Sequence, residues 1–230
     1  MIWLDFYRNH GDSPHCTEMS YSSMAADLAE LVARLGLGPV CLAGHSMGGR
    51  TVMAAALAQA VQVERLIVVD ISPLNQEFDT TSSSEWNMEH FFHCLKAVKF
   101  PHGGTLSQAR KEADRQLAVR IEDAGLRAWL LMNLTQDATT KQVNWKINLD
   151  GIHAAFLQSI AQFPAPQSVF HKPTLFIGGG DSDYIPVADH EQIRETFPTA
   201  EFVYVPGAGH WVHSQKPLEV CQLIVDFLKK

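Results

Sequence analysis

Val40-Cys41-Leu42-Ala43-Gly44-His45-Ser46-Met47-Gly48-Gly49 is the stretch that decides the fold. Its first four residues are short and apolar, as a buried parallel strand is. Arg50 to Ala60, directly after it, is rich in Ala, Leu and Met, as a helix is. Between them a Ser stands among glycines at a strand-to-helix turn. Such a turn is sharp and tolerates no bulk on either side. Ser46 is expected to project its hydroxyl from the top of a sheet, with the positive end of the next helix aimed at it. That arrangement is a nucleophile elbow; the blander reading is a tight turn carrying an idle Ser.

Working outward, Met24, Leu28, Leu31, Val32 and Leu35 recur at helical spacing, and Gly36 stops the run. Before them, Met1 to Phe6 is a short apolar stretch that reads as a strand remnant, and Arg8 to Glu18 is loop-like. After the elbow, Leu66-Ile67-Val68-Val69-Asp70 is a buried strand ending in an acid. Pro173 to Ile177 and Glu201 to Val205 are further strands, with a helix near 188–197 between them. Leu218 to Leu228 closes the chain as an amphipathic helix. Strands alternating with helices predict an α/β fold, a mostly parallel sheet with helices on both faces. The polar run 80–84 is a loop, and residues 85–163 read as mainly helical. That block is too long for a crossover and is expected to be an inserted helical lid. The predicted organisation is therefore a core of 1–75 and 165–230 with a lid at 76–164.

The chain has 230 residues and 46% hydrophobic content, enough for one substantial core. A net charge of -7 and the lack of any basic run argue against nucleic-acid partners and anionic membranes. No apolar stretch is long enough to span a bilayer, and no secretory or Arg-rich transit segment opens the sequence. The four Cys (Cys16, Cys41, Cys94, Cys221) are scattered and read as reduced, mostly buried thiols. These features predict a soluble intracellular protein.

A nucleophile needs a base. Of the 11 His, His210 has the best context, on the Gly-rich loop Gly207-Ala208-Gly209-His210-Trp211 after the last strand. His213 is a nearby decoy, and His45 is expected to pack or hydrogen-bond locally. The base needs an acid to fix its tautomer, and several carboxylates compete. Asp70 ends the strand after the elbow. Asp181 and Asp183 flank Ser182 in a later loop, and Asp150 lies where the helical block turns back. Chain order fits all four, so order does not choose. A strand end positions a carboxylate better than a lid segment does, which favours Asp70. The backbone N–H of Met47 is the expected first oxyanion donor. Asn9-His10-Gly11 precedes the elbow but lies too far along the fold to be the second donor loop, and His102-Gly103-Gly104, within the helical block after Ser46, resembles that loop only on paper.

Arg8-Asn9-His10-Gly11, Gly44 to Gly49, Val69-Asp70-Ile71-Ser72-Pro73, Trp145 to Asp150 and Gly207 to Trp211 together resemble the α/β-hydrolase superfamily. Within it they are similar to the subgroup of alpha/beta hydrolase domain-containing protein 11 and its bacterial esterase relatives. The resemblance covers nearly the whole chain. It implies an α/β-hydrolase fold in which the N-terminal strands are missing, together with the His-Gly oxyanion loop that they carry. It implies a serine hydrolase of carboxylic esters or acylglycerols, with Ser46 as nucleophile, His210 as base and no cofactor. For the acid, the animal-type assignment matches Asp150 and the bacterial-type arrangement matches Asp70. The position most members use for the acid is held here by Ser182. The resemblance also implies a mitochondrial location and a role near the 2-oxoglutarate dehydrogenase complex; a true start at Met1 would instead imply the cytoplasm.

Two functions are thus expected from the sequence. One is an esterase or lipase working through an acyl-Ser46 intermediate, with Trp86, Phe91, Phe92, Leu95, Trp129, Leu130, Met132 and Phe156 available for an acyl pocket or for the core of the helical block. The other is a truncated, catalytically impaired form that binds acyl ligands or a partner without turnover. A fluorophosphonate probe separates them, because labelling needs a live Ser46.

Overall fold

A computed structural model describes residues 7–75 and 88–230. The expectations placed on Met1 to Phe6, on the run 80–84 and on Trp86 fall outside these residues. The chain divides into two compact units, one within Ser20–Gln76 and Ser159–Lys230, the other within Met1–Met19 and Glu77–Gln158.

The first unit is the α/β layer. Helix α1 (Tyr21–Arg34) opens with a reciprocal cap, in which Ser20 and Ser23 each bond the other's backbone N–H. Strand β1 (Val40–His45), helix α2 (Met47–Leu57) and strand β2 (Val63–Val69) follow. Strand β5 (Thr174–Gly179), helix α7 (His190–Thr196), strand β6 (Ala200–Val205) and helices α8 (Val212–Gln215) and α9 (Pro217–Lys229) complete it. Four strands pair in parallel in the order β1-β2-β5-β6. Every residue of β5 is buried, as a parallel sheet covered on both faces requires.

Alternation along the strands sorts the core. Ile67, Val69, Leu175, Ile177 and Val205 pack with Val220 and Phe227 of α9 and with Ala208 and Val212. The alternate residues Leu66, Val68 and Phe176 are fully buried, and α2 packs on β1 and β2 with α1 against it. β1 sits at the edge of the described sheet, so Cys41 on its alternate face is exposed. Cys221 is exposed on α9, and only Cys94 is buried. The expectation of mostly buried thiols is therefore corrected: an edge strand and a surface helix each leave one Cys uncovered.

Arg50, on α2, is a buried cation. It is 3% exposed and donates to three carbonyls, Ser72 (3.2 Å), Leu74 (3.1 Å) and Ala161 (3.3 Å). Asn75 reinforces the same region by bonding Phe163 in both directions, at 2.8 and 2.6 Å. A planar fork can serve three acceptors at once, whereas an ammonium cannot hold that geometry. Arg50→Met should therefore destabilise the fold by about 2–4 kcal/mol and lower the melting temperature by roughly 5–15 °C. Arg50→Lys should recover less than half of the loss. Calorimetry on the two variants checks both, and an unchanged melting temperature for Arg50→Met would refute the assignment.

The second unit holds helices α3 (Met88–Ala97), α4 (Leu106–Leu117), α5 (Ala124–Leu130) and α6 (Leu149–Ala155). It is not purely helical. Leu134–Gln136 (β3) and Val143–Trp145 (β4) form an antiparallel hairpin within the block that the sequence predicts to be mainly helix. Strands of three residues are too short for alternation to register. The loop before α1 is tied into this unit: Asn148 donates its backbone N–H to the Asn9 carbonyl (2.9 Å) and its amide to Asn9 Oδ1 (3.0 Å). Phe91, Phe92, Leu95 and Leu130 are buried in the unit's core, while Trp129 and Met132 are exposed. No helix among the described residues is long and apolar enough to cross a membrane.

Candidate active site

The site grows from the C-terminal ends of the parallel strands, where open α/β sheets commonly place their chemistry. Ser46 follows β1 with φ 54° and ψ -122°, a conformation forbidden to most residues and typical of an elbow. The glycines are required by space. A Cβ on Gly44 would stand 2.2 Å from the Gly48 carbonyl oxygen, and one on Gly49 would stand 2.6 Å from Ile71 Cγ2. The strand and helix can meet that closely only without side chains.

Ser46 Oγ lies 3.0 Å from His210 Nε2, and His210 Nδ1 lies 2.8 Å from Asp70 Oδ2. A carboxylate only accepts, so the proton sits on Nδ1 and Nε2 is left to accept from the Ser46 hydroxyl. Asp70 follows β2 directly, is fully buried and itself has φ 51°. Its charge is satisfied by three donors. Oδ1 accepts from Gly179 N–H (2.8 Å), while Oδ2 accepts from the Ser182 hydroxyl (2.5 Å) as well as from His210. Ser182, in the loop after β5, thus supplies a hydrogen bond to the carboxylate at the end of the neighbouring strand β2.

His45 contributes more than local packing. Its Nε2–H donates to the His210 carbonyl (2.8 Å), tying the end of β1 to the backbone of the His210 loop. Burial, followed by the neighbouring His210 and His213, pulls the pKa of His45 down to about 3, so its ring stays neutral. Burial, then His210, also lowers that of His213. On the other side the Tyr184 ring stacks on His210, with centroids 4.1 Å apart and planes at 28°.

The remaining sequence candidates stand apart from this chain of bonds. Asp150, the alternative acid, is not the carboxylate that His210 holds. It belongs to the helical unit, is exposed, and pairs with Lys96 Nζ at 2.8 Å, which holds its pKa low. Asp181 and Asp183 are exposed beside Ser182. Met47 begins α2, with its backbone next to Ser46. The roles of Ser182, His45 and Tyr184 have no signal in the sequence, because each depends on which loops the parallel sheet brings together. Among the described residues, no group of three or more His, Cys, Asp or Glu is placed to hold a metal ion.

Comparison with known proteins agrees with this architecture. Residues 7–217 match the family described as alpha/beta hydrolase fold. The chain is 45% identical over 221 residues to the sn-1-specific diacylglycerol lipase ABHD11 of Mus musculus, covering 96% of this chain and 69% of that protein. It is 27% identical to Esterase YbfF of Escherichia coli, covering 96% of this chain and 80% of that one. Among solved structures, a marine microorganism esterase superposes with a TM-score of 0.85 at 38% identity, covering 96% of this chain and 82% of that one.

Proposed function

The chain belongs to the α/β-hydrolase family and is a hydrolase of the esterase and lipase type, and we propose that it cleaves carboxylic esters, acylglycerols among them, through an acyl-Ser46 intermediate. The single observation that carries this reading is the hydrogen-bonded chain from Ser46 Oγ through His210 to Asp70.

In the first half-reaction Ser46 gives its proton to His210 Nε2 as Oγ attacks the ester carbonyl carbon. The tetrahedral oxyanion is met by the Met47 N–H at the start of α2, where the helix dipole favours negative charge. As the C–O bond to the leaving alcohol breaks, His210 returns the proton to that oxygen. Water then repeats the sequence on the acyl-enzyme, with His210 as base, and releases the carboxylic acid and free Ser46. Asp70 holds the Nδ1–H tautomer throughout and stabilises the imidazolium without taking its proton.

Acylglycerol is the proposed substrate class because the mouse and zebrafish relatives bear the name diacylglycerol lipase. The test is a fluorophosphonate probe on the purified chain, with peptide mass spectrometry, beside fatty-acid release from diacylglycerol and from a short-chain aryl ester. The expected result is an adduct on the peptide that contains Ser46, and acid release from both esters. An unlabelled chain that binds acyl ligands without turnover would replace this reading with a binding function.

A further inference from the structure

We propose that Tyr184 is a positioning residue for the base, its ring face stabilising the His210 imidazolium that forms as Ser46 loses its proton. The inference rests on the reading of His210 as base and extends it to a residue outside the Ser–His–Asp chain.

Three observations carry it. First, the contact is face to face: the Tyr184 and His210 rings stack at 4.1 Å and 28°. A cation within about 6 Å of an aromatic centroid, over the ring face, is attracted by the ring quadrupole. Second, the stack is held from both loops. Gly180 N–H donates to the Val205 carbonyl (2.8 Å) and Asp181 N–H to the Ala208 carbonyl (2.9 Å), which joins the Tyr184 loop to the His210 loop. Ile185, next in sequence, is 2% exposed and anchors the turn. Third, the other charges around the base leave this attraction room to act. Asp70 bonds Nδ1 from the end of β2. His45 of β1 has its ring 4.7 Å away and is neutral. His213 of α8 is pushed toward the neutral form by burial and by His210. Arg50 of α2 acts on Tyr184, whose own pKa is raised by burial and then by Asp70, so the phenol stays neutral.

The neutral imidazole of the resting enzyme gains little from a π face, whereas the imidazolium of the transition state gains more. The stack therefore binds the transition state in preference to the ground state, the kind of interaction that accelerates a reaction. The sign of the pH effect follows. Activity requires neutral His210 and falls in acid, where the ring is protonated. Removing the π face disfavours the imidazolium, so the acid limb of kcat/KM moves to lower pH while the plateau also falls. A residue that only shielded His210 from water would do the reverse, because wetting the ring favours the charged form and moves the limb up.

The test is the pH profile of kcat/KM on a soluble aryl ester for wild type, Tyr184→Phe, Tyr184→Leu and Tyr184→Met. Leu and Met both lack a π face, so one variant that fails to fold leaves the other to report. The expected result is a plateau about three- to tenfold lower and an acid limb about half a unit lower in the aliphatic variants. Tyr184→Phe should stay within about twofold of wild type, because it keeps the ring. A limb that stays or rises in the aliphatic variants overturns the proposal. So does a Phe variant as slow as Leu, which would give the role to the hydroxyl. His210→Gln is run alongside: if it keeps wild-type activity, the reading of the base itself has failed.

Discussion

Ser46→Ala is expected to lower kcat on any ester by about 10⁵–10⁶-fold and to abolish fluorophosphonate labelling. Structure makes this substitution unusually clean. Ser46 occupies φ 54° and ψ -122°, and Ala has the same Cβ, so the strain at the elbow is unchanged. The glycines that permit the turn, Gly44 against Gly48 and Gly49 against Ile71, are untouched. The Ser46 hydroxyl bonds His210 Nε2, and its removal leaves His210 still held by Asp70 through Nδ1. The melting temperature should therefore move by no more than about 2 °C, less than about 1 kcal/mol for a domain of this size. His210→Ala should cost about as much, and the double variant little more, because the two groups act as one unit. An adduct that persists in Ser46→Ala, or a rate reduced less than about a hundredfold, would move the nucleophile elsewhere.

The elbow was legible because its constraint is local. A short apolar strand, glycines that make room and an alanine-rich helix lie within one stretch, and β1 and α2 fall there. Helices α1 and α9 were legible for the same reason, since their apolar faces repeat at helical spacing. The hairpin β3–β4 escaped because three-residue strands offer no period to read. The choice among carboxylates was only half legible. Chain order fitted every candidate, and the physical argument for a strand end selected Asp70, the residue that meets His210. What no pattern could signal was the set of contacts between loops distant in sequence. Ser182 reaching Asp70, His45 reaching the His210 carbonyl and Tyr184 stacking on His210 all depend on strand order in a parallel sheet. The exposed Cys41 has the same origin, because which strand lies at an edge is a property of topology rather than of the strand's own residues.

Asp70→Asn should lower kcat by about 10³–10⁴-fold, whereas Asp150→Asn should stay within about twofold of wild type. The difference follows from how each carboxylate is bonded. In Asp70, Oδ1 accepts from the backbone N–H of Gly179, while Oδ2 accepts from both Ser182 and His210. An amide cannot satisfy this set, because only one of its two ends accepts. With its NH₂ toward Gly179, two donors would face each other. Gly179 has little freedom to yield, since even a Cβ there would stand 2.4 Å from the Gly209 carbonyl oxygen. With its NH₂ toward His210, the amide would demand the opposite tautomer. The Nε2–H would then face Ser46, and His210 could not take the hydroxyl proton. Loss of the carboxylate charge also disfavours the imidazolium, so the acid limb of the residual activity should lie below that of wild type. Asp150 makes no comparable set of bonds. Its side chain is 90% exposed, and its ion pair with Lys96 is the solvent-screened kind that contributes little. Steady-state kinetics on the two variants, with melting temperatures as a folding control, decide between them. A larger loss from Asp150→Asn would transfer the acid to the helical unit and overturn the reading in which a strand end, rather than an inserted segment, holds the base in register.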